Sequence, residues 1–267
     1  MRDVRGRRAR RGSLTVVGTG IDATTQLTPG ARAAIERSDE VLYLVADSVS
    51  ALRIVNLNPG ARSLDEFYAP DKNRRQTYAE IIETIVAAAV AGANVCAVFY
   101  GHPGVFAYPG HEALARVREA GLPARMLPAV SALDCLVADL ELDPGRTGLQ
   151  SYEATYFLLH RPVIDPHAML LLWQVGMIGE VGGAATDAVK ARFQLLIERL
   201  RDLYGRTREA VLYEASPYPG PAPAARRFRL GDFELPAPST VSTLCVPADG
   251  VPPIDVNARA LLALTER

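Results

Sequence analysis

The chain has 267 residues and a formal net charge of −1, from 29 Lys and Arg residues against 30 Asp and Glu residues. Its 49% hydrophobic and 22% charged residues are typical of a folded globular protein and exclude an intrinsically disordered chain, and no apolar run is long enough to span a bilayer. Residues 1–12 carry six Arg and one Asp, so residues 13–267 carry a net charge of −6, which argues against a nucleic-acid-binding protein.

The basic segment at residues 1–12 lacks the apolar core of a secretory signal. We expect a disordered, solvated tail, with a weak anion-binding arm as the alternative. The cysteines and the four histidines show no zinc spacing, so we expect no protein-bound metal. Reduced thiols in a cytoplasmic, bacterial protein are predicted for Cys96, Cys135 and Cys245.

Strand-like and helix-like segments alternate in the first half, which predicts a mostly parallel sheet with helices on both faces. Strands are predicted at residues 14–17, 41–46, 95–99 and 124–127, and helices at 29–37, 76–91 and 112–120. The helix at 76–91 has the clearest pattern, because apolar residues recur at three- and four-residue spacing before Gly92: Tyr78, Ile81, Ile82, Ile85, Val86 and Ala89.

The second half predicts strands at residues 169–173, 210–213 and 241–246, and helices at 191–203 and 257–264. The turn Asp143-Pro144-Gly145 indicates a domain boundary near residues 128–150. We therefore predict two α/β domains, at residues 13–128 and 129–250, and a C-terminal tail with a short helix at 251–267.

Two glycine-containing loops follow predicted strands. Gly18-Thr19-Gly20 lets the backbone approach a ligand closely, but Ala23 breaks the dinucleotide-binding pattern, so a tight turn is an equal interpretation. The second loop, residues 100–106, lies at the carboxyl end of a buried strand, where open α/β sheets place ligands. Its His102 is either a general base or, more commonly, a side chain that hydrogen-bonds the backbone.

A third cluster lies at the start of the helix predicted at 76–91. Arg74 and Tyr78 are four residues apart and share a helix face. A guanidinium beside a tyrosine lowers the pKa of the phenol from its ordinary value of about 10. The alternative is that Tyr78 only packs at the helix start while Arg74 pairs with a carboxylate.

These residues resemble the tetrapyrrole methylase superfamily, the class III S-adenosylmethionine methyltransferases. The resemblance begins with Gly18-Thr19-Gly20, Leu27-Thr28-Pro29-Gly30-Ala31, Ile35 and Ser38-Asp39-Glu40-Val41. Within the superfamily, later motifs resemble the borosin α-N-methyltransferases, which methylate backbone amides of a ribosomal peptide. These motifs are the loop at 100–106, Met126-Leu127-Pro128, Ser131-Ala132, Ala138-Asp139-Leu140, Tyr152-Glu153-Ala154-Thr155 and Trp173-Gln174-Val175-Gly176.

Two departures from these families bear on the substrate. Porphyrinoid methylases usually carry Pro-Gly-Asp-Pro in the first loop and Gly-Asp-Pro in the second, where this chain has Ile21-Asp22-Ala23 and Gly101-His102-Pro103. Fused borosins continue into a helical clasp and a core peptide, which do not follow here. The resemblance therefore implies a split enzyme that receives its precursor peptide, with its leader or binding domain, in trans.

The resemblance also implies two α/β domains, with the cofactor and active site in the cleft between them, and an intertwined homodimer. The implied cofactor is S-adenosyl-L-methionine, with S-adenosyl-L-homocysteine as the product. The positions that match cofactor-binding residues are Gly18, Gly20, Tyr100, Gly101, His102, Gly104, Val105, Phe106, Ser131, Ala132 and Gln174.

The implied catalytic residues are Tyr68, Arg74, Tyr78 and Tyr100, with Arg75 as an alternative to Arg74. Our hypothesis is that Tyr78 removes the amide proton and that Arg74 stabilises the oxygen as it gains charge. Tyr68 and Tyr100 would then orient the amide as hydrogen-bond donors. The rival functions are a tetrapyrrole or other small-molecule methyltransferase of the same fold and a non-catalytic binding module.

Overall fold

The computed structural model describes residues 12–69, 72–179 and 186–262, leaving aside the side chains of residues 186 and 187. The chain forms two α/β units, as the sequence predicts. Within the described residues, no helix is both long and apolar enough to cross a bilayer. The predicted tail lies outside these residues except for Gly12, which is buried: a Cβ there would lie 1.8 Å from the carbonyl oxygen of Ala89.

The first unit is built on a five-stranded parallel sheet in the order β3-β2-β4-β1-β5. Its elements are β1 (Ser13–Gly18), α1 (Pro29–Arg37), β2 (Glu40–Leu44), α2 (Ser48–Leu57), β3 (Arg62–Ser63), a 3₁₀ turn (Asp65–Phe67), α3 (Arg74–Val90), β4 (Asn94–Phe99), α4 (Tyr108–Glu119), β5 (Ala124–Met126) and α5 (Ala132–Asp139).

Helices cover both faces of this sheet, as the sequence predicts. On one face, strand residues such as Val16 and Phe99 pack in one cluster with Ile81 and Ile85 of α3 and with α4. On the other face, alternate strand residues pack with α1 and α2, including Ile35. Because both faces are buried, the strands are almost continuously apolar, as in other parallel sheets.

The second unit contains a mixed sheet in the order β6-β7-β10-β8-β9. Its elements are α6 (Pro144–Thr147), β6 (Leu149–Glu153), α7 (Ala154–His160), β7 (Met169–Trp173), α8 (Thr186–Tyr204), β8 (Glu209–Glu214), β9 (Ala224–Arg229), β10 (Thr243–Val246) and α9 (Val256–Leu261). β6 pairs with β7 in parallel, whereas β10 is antiparallel to both β7 and β8. Phe157 of α7 and Leu196 of α8 lie in the core of this unit.

The boundary between the units differs from the predicted domains. The first unit continues to Glu141, 13 residues past the predicted end at 128, and Glu214–Ala224 also belongs to it. The physical reason is that the residues after 128 pack on the first loop. A Cβ on Gly18 would lie 2.8 Å from Ala129, and Gln26 donates a hydrogen bond to Cys135 of α5.

Candidate functional site

The two glycine loops predicted from the sequence pair with each other in the first unit. Gly20 and Gly101 form an isolated antiparallel bridge, with N···O distances of 3.3 and 3.1 Å. The bridge extends the β1–β4 pairing beyond the strand ends, because the amide of Thr19 also donates to the carbonyl of Phe99 at 2.9 Å. Two loops that are 81 residues apart in sequence therefore form one continuous backbone surface.

Gly18 is required by the closeness of this packing. A Cβ on Gly18 would lie 2.0 Å from the carbonyl oxygen of Gly101 and 2.8 Å from Pro103 Cδ. Gly20 and Gly101 have φ values of +73° and +69°, a region that favours glycine. Backbone geometry therefore explains Gly18, Gly20 and Gly101, and these glycines carry no information about the identity of a ligand.

The loop at residues 100–106 contains a hydrogen bond at its centre. Gly104 donates its amide hydrogen to His102 Nδ1 at 3.0 Å, which is the backbone-bonding alternative for this histidine. Val105 and Phe106 present 41% and 47% of their surface to solvent, and Phe106 adopts a φ of +53°. The strained conformation holds an apolar, exposed tip next to the paired glycines.

Ser131 caps α5 and is committed to that role. Its hydroxyl accepts a hydrogen bond from the amide of Asp134 and donates one to the carboxylate, while that carboxylate accepts from the Ser131 amide at 2.7 Å. This arrangement is a capping box. Ser131 and Ala132 therefore contribute the start of a helix to the site, where the helix dipole favours negative charge.

Tyr100 directly follows β4 and is half-buried. Its amide donates to the carbonyl of Leu44 at 3.1 Å. Burial, together with the nearby Cys135 and Asp47, raises the pKa of the Tyr100 phenol to about 12. Tyr100 is consequently a neutral hydrogen-bond donor at physiological pH, which is the role that the sequence hypothesis gives it.

Gln26 connects the first loop to α5, and sequence reasoning missed it. Its Oε1 accepts hydrogen bonds from the amides of Ile21 and Asp22 at 2.8 and 3.1 Å, while its Nε2 donates to Cys135 Sγ at 3.6 Å. Burial raises the pKa of the Cys135 thiol despite this bond, so the sulfur stays protonated. No local motif marks the bond from Gln26 to Cys135, because the two residues are 109 positions apart in the sequence.

A cavity of about 390 Å³ lies beside Gln26, wholly in the first unit. Asp22, Asp134 and Asp139 line it, together with Tyr218 and other residues of the segment Glu214–Ala224. Burial opposes ionisation of Asp22, but hydrogen bonds from Thr24 and Thr25 outweigh that effect and lower the pKa of the carboxyl. The wall of the cavity is thus acidic. Two of its carboxylates also have structural roles, because Asp22 accepts hydrogen bonds within its own turn and Asp134 belongs to the cap of α5.

The predicted cluster of Tyr68, Arg74 and Tyr78 does come together. Asn73 caps α3 and makes Arg74 its first residue, one turn before Tyr78. Burial and the neighbouring Tyr78 together raise the pKa of the Tyr68 phenol to about 12, because the positive charge of Arg74 offsets them only in part. Tyr68 therefore stays protonated although it lies beside Arg74, and the sequence-based expectation for Tyr78 stays a prediction.

Two further details complete this cluster. Arg74 is half-buried and interacts with Tyr68, whereas Arg75 is exposed and its amide bonds the Asn73 cap, so the geometry favours Arg74. The ring of Tyr78 lies 6.3 Å from the ring of Tyr108, which begins α4 two residues after Phe106. Tyr108, which sequence reasoning also missed, links the tyrosine cluster to the end of the second loop.

Gln174 is the one predicted site residue that lies in the second unit. It directly follows β7 with a φ of +56°, and its carbonyl accepts a hydrogen bond from the amide of Met177 at 2.8 Å. Its predicted contact with a cofactor stays a prediction. Among the residues that the structure describes, no three or more His, Cys, Asp and Glu side chains are grouped so as to hold a metal ion.

Residues 13–219 match the family model of tetrapyrrole (corrin/porphyrin) methylases. The chain is also similar to three proteins described as methyltransferase/ribosomally synthesized cyclic peptide precursors. It is 37% identical to the dendrothelin A precursor of Dendrothele bispora, over 94% of this chain and 61% of that protein. The identity is 39% for the omphalotin A precursor of Omphalotus olearius, over 84% and 54% of the two chains. It is 36% for a type I borosin precursor of Serendipita vermifera, over 96% and 63%.

The chain thus spans somewhat more than half the length of these relatives. Among solved structures, it resembles the uroporphyrin-III-C-methyltransferase of Thermus thermophilus, with a TM-score of 0.60 at 22% identity over 96% of this chain and 98% of that one. It also resembles diphthine synthase, with a TM-score of 0.59 at 16% identity over 88% and 90%. At these identities the structures show a shared fold.

Proposed function

Because this chain belongs to the tetrapyrrole (corrin/porphyrin) methylase family, we propose that it is an S-adenosylmethionine-dependent methyltransferase that methylates backbone amide nitrogens of a ribosomally made peptide. The observation that carries the choice of substrate is the cluster of Tyr68, Arg74 and Tyr78 at the head of α3. These groups suit an amide, which must lose a proton while its oxygen gains charge.

The residues of the first unit fit the cofactor. The paired loops leave Val105 and Phe106 exposed as apolar faces for an adenine ring. We propose that the predicted binding residues of the first unit hold S-adenosylmethionine. When bound, this cofactor supplies the methyl group and keeps the electron pair of the broken carbon–sulfur bond.

The chain's own residues have three tasks in the reaction. An amide nitrogen is a poor nucleophile, because its lone pair is delocalised into the carbonyl group. Tyr78 would accept the N–H proton, and Arg74 would stabilise the negative charge that develops on the carbonyl oxygen. Tyr68 and Tyr100, whose pKa values are raised to about 12, stay protonated and donate hydrogen bonds that orient the amide.

The charge of Arg74 supports this division of roles. A guanidinium next to the reacting amide stabilises the negative charge that develops on the carbonyl oxygen as the N–H proton leaves. The nitrogen loses its proton to Tyr78 and gains the methyl group, so the product is an N-methyl amide with no net change in oxidation state.

The test is methylation of a borosin-type precursor peptide added as a separate chain, which also tests supply in trans. Mass spectrometry should show methyl groups on backbone nitrogens in the fragment ions. Methylation confined to side chains, or transfer to a porphyrinoid in place of the peptide, would contradict the proposal. Light scattering of the same sample tests the proposed homodimer.

The role of Tyr78 is tested by single-turnover methylation with Tyr78→Phe. Loss of a general base typically costs about 10²–10⁴-fold in rate, so we expect a decrease in that range with cofactor affinity intact. Tyr156→Phe is the matched control, because it removes the same hydroxyl from a half-exposed tyrosine of α7 in the second unit. A near-normal rate for Tyr78→Phe would exclude Tyr78 as the base.

A further inference from the structure

Lys72 holds the backbone next to Tyr68. Its Nζ donates to the carbonyl oxygen of Phe67 at 2.8 Å and forms a short ion pair with the carboxylate of Glu80 on α3. The hydroxyl of Thr77, also on α3, donates to the same carbonyl oxygen at 3.3 Å. The residue immediately before Tyr68 is thus tied to the helix that carries Arg74 and Tyr78.

The burial of Lys72 and Thr77 distinguishes the arrangement from an ordinary surface ion pair, although the Glu80 side chain is 37% exposed. The Lys72 side chain is only 19% exposed, and Thr77 is 1% exposed. A lysine withdrawn this far from water needs partners for its charge, and Glu80 and the Phe67 carbonyl supply them. Gln76 donates to the other oxygen of Glu80 at 3.3 Å and so restrains the carboxylate.

We propose that Lys72 is a positioning residue that fixes Tyr68 against the face of α3 bearing Arg74 and Tyr78. The inference rests on the proposed function for its effect on the reaction. Apart from these bonds, the Tyr68 backbone is held by its amide, which donates to the carbonyl of Asp65 within the preceding turn at 2.9 Å. The bond to Asp65 determines the conformation of the turn, and the bonds of Lys72 determine the position of that turn relative to α3.

Lysine suits this task because its ammonium group is a compact donor of three hydrogen bonds. One hydrogen is directed to the backbone carbonyl and one to the carboxylate, so a single side chain joins two elements. Catalysis by oriented groups is sensitive to displacements of about 1 Å, which can cost about 10²-fold in rate. Loss of the two Lys72 bonds should therefore slow the chemical step more than it weakens binding of the peptide or the cofactor.

The experiment compares Lys72→Met with three other variants. Lys72→Met keeps most of the side-chain volume but removes the donors, whereas Lys72→Arg keeps both charge and donors and should restore function. Lys190→Met is the matched control, since Lys190 is the chain's other lysine and is exposed on α8. Thr77→Val removes only the weaker second bond to Phe67 and should have a smaller effect in the same direction.

We expect Lys72→Met to lower kcat about 10- to 100-fold, with the KM for the peptide and the Kd for the cofactor changed by less than about twofold. A second readout needs no substrate. Tyrosinate absorbance, taken as a difference from Tyr68→Phe, should titrate near 12 in the wild type, Lys72→Arg and Lys190→Met proteins, and closer to 10 in Lys72→Met.

The two readouts separate this inference from the proposed function. If the wild-type protein methylates no peptide, the proposed function fails, while the absorbance titration still tests whether Lys72 positions Tyr68. A wild-type titration of Tyr68 in Lys72→Met would overturn the positioning role, as would an equal loss of kcat in Lys190→Met.

Discussion

Adding one methyl group to Gly18 tests whether the close packing of the two loops is needed for folding and for ligand binding. In Gly18→Ala, the new Cβ would lie 2.0 Å from the Gly101 carbonyl oxygen and 2.8 Å from both Pro103 Cδ and Ala129 Cβ. Two of these atoms belong to backbone or a proline ring and cannot rotate away. The second loop must therefore move as a unit.

The expected cost follows from the number and kind of these contacts. Overpacking a buried site typically costs 1–3 kcal/mol, and occasionally more. With three contacts below 3.0 Å and no flexible neighbour, we expect about 3 kcal/mol of lost unfolding free energy. For a domain of this size, each kcal/mol lowers Tm by about 2–4 °C, so the expected shift is about 6–12 °C.

The assay is thermal unfolding together with calorimetric titration of S-adenosylmethionine. Gly30→Ala is the matched control, because its Cβ would meet only Leu127 Cδ1 at 3.7 Å and alanine suits a helix. We expect Gly30→Ala to have wild-type stability and affinity, and Gly18→Ala to lose both. Wild-type Tm and affinity in Gly18→Ala would refute the argument that the loops are held in contact.

Three further changes test other parts of the first unit. Gln26→Met leaves loop amides without an acceptor and should cost about 1–3 kcal/mol of unfolding free energy in urea titrations, whereas Gln26→Glu keeps the acceptor oxygen and should cost less. Ser131→Ala removes the cap of α5 and should lower the free energy of unfolding by about 1 kcal/mol, whereas Ser131→Thr should retain most of it. Equal stability of the wild-type protein and both variants would contradict a stabilising role of the cap. Because the pKa of Tyr100 is raised to about 12 in the folded state, its contribution to stability is complete below pH 10 and is lost between pH 10 and 12. Urea midpoints should fall over that interval, and a slope unchanged in Tyr100→Phe would contradict the assignment.

The helices of the first unit were predictable where local signals mark them. α1 has the predicted bounds, because Thr28 caps it and Pro29 occupies its first position. α3 begins at Arg74, two residues before the predicted start, because the Asn73 side chain caps the Arg75 amide. α2 was missed because the segment Ser48–Leu57 mixes β-branched and polar residues, although Asp47 caps it through Ser50.

The candidate site was predictable in its residues but not in its connections. The spacing of Arg74 and Tyr78 on one helix face is a local property, and the structure confirms it. The bridge between Gly20 and Gly101 and the bond from Gln26 to Cys135 join residues 81 and 109 positions apart, so no local pattern reveals them. The raised pKa of Tyr68 depends on burial, which a sequence pattern does not quantify.

The segment Glu214–Ala224 makes the first unit depend on late parts of the chain. During synthesis, the residues that close one wall of the Asp-lined cavity, including Tyr218, emerge only after β8. More than 70 further residues are translated between Glu141 and Glu214, and during that time the nascent first unit lacks this wall of the cavity. A fragment ending at Glu141 would lack this wall permanently, so the first unit cannot be exchanged between proteins as one continuous stretch of sequence.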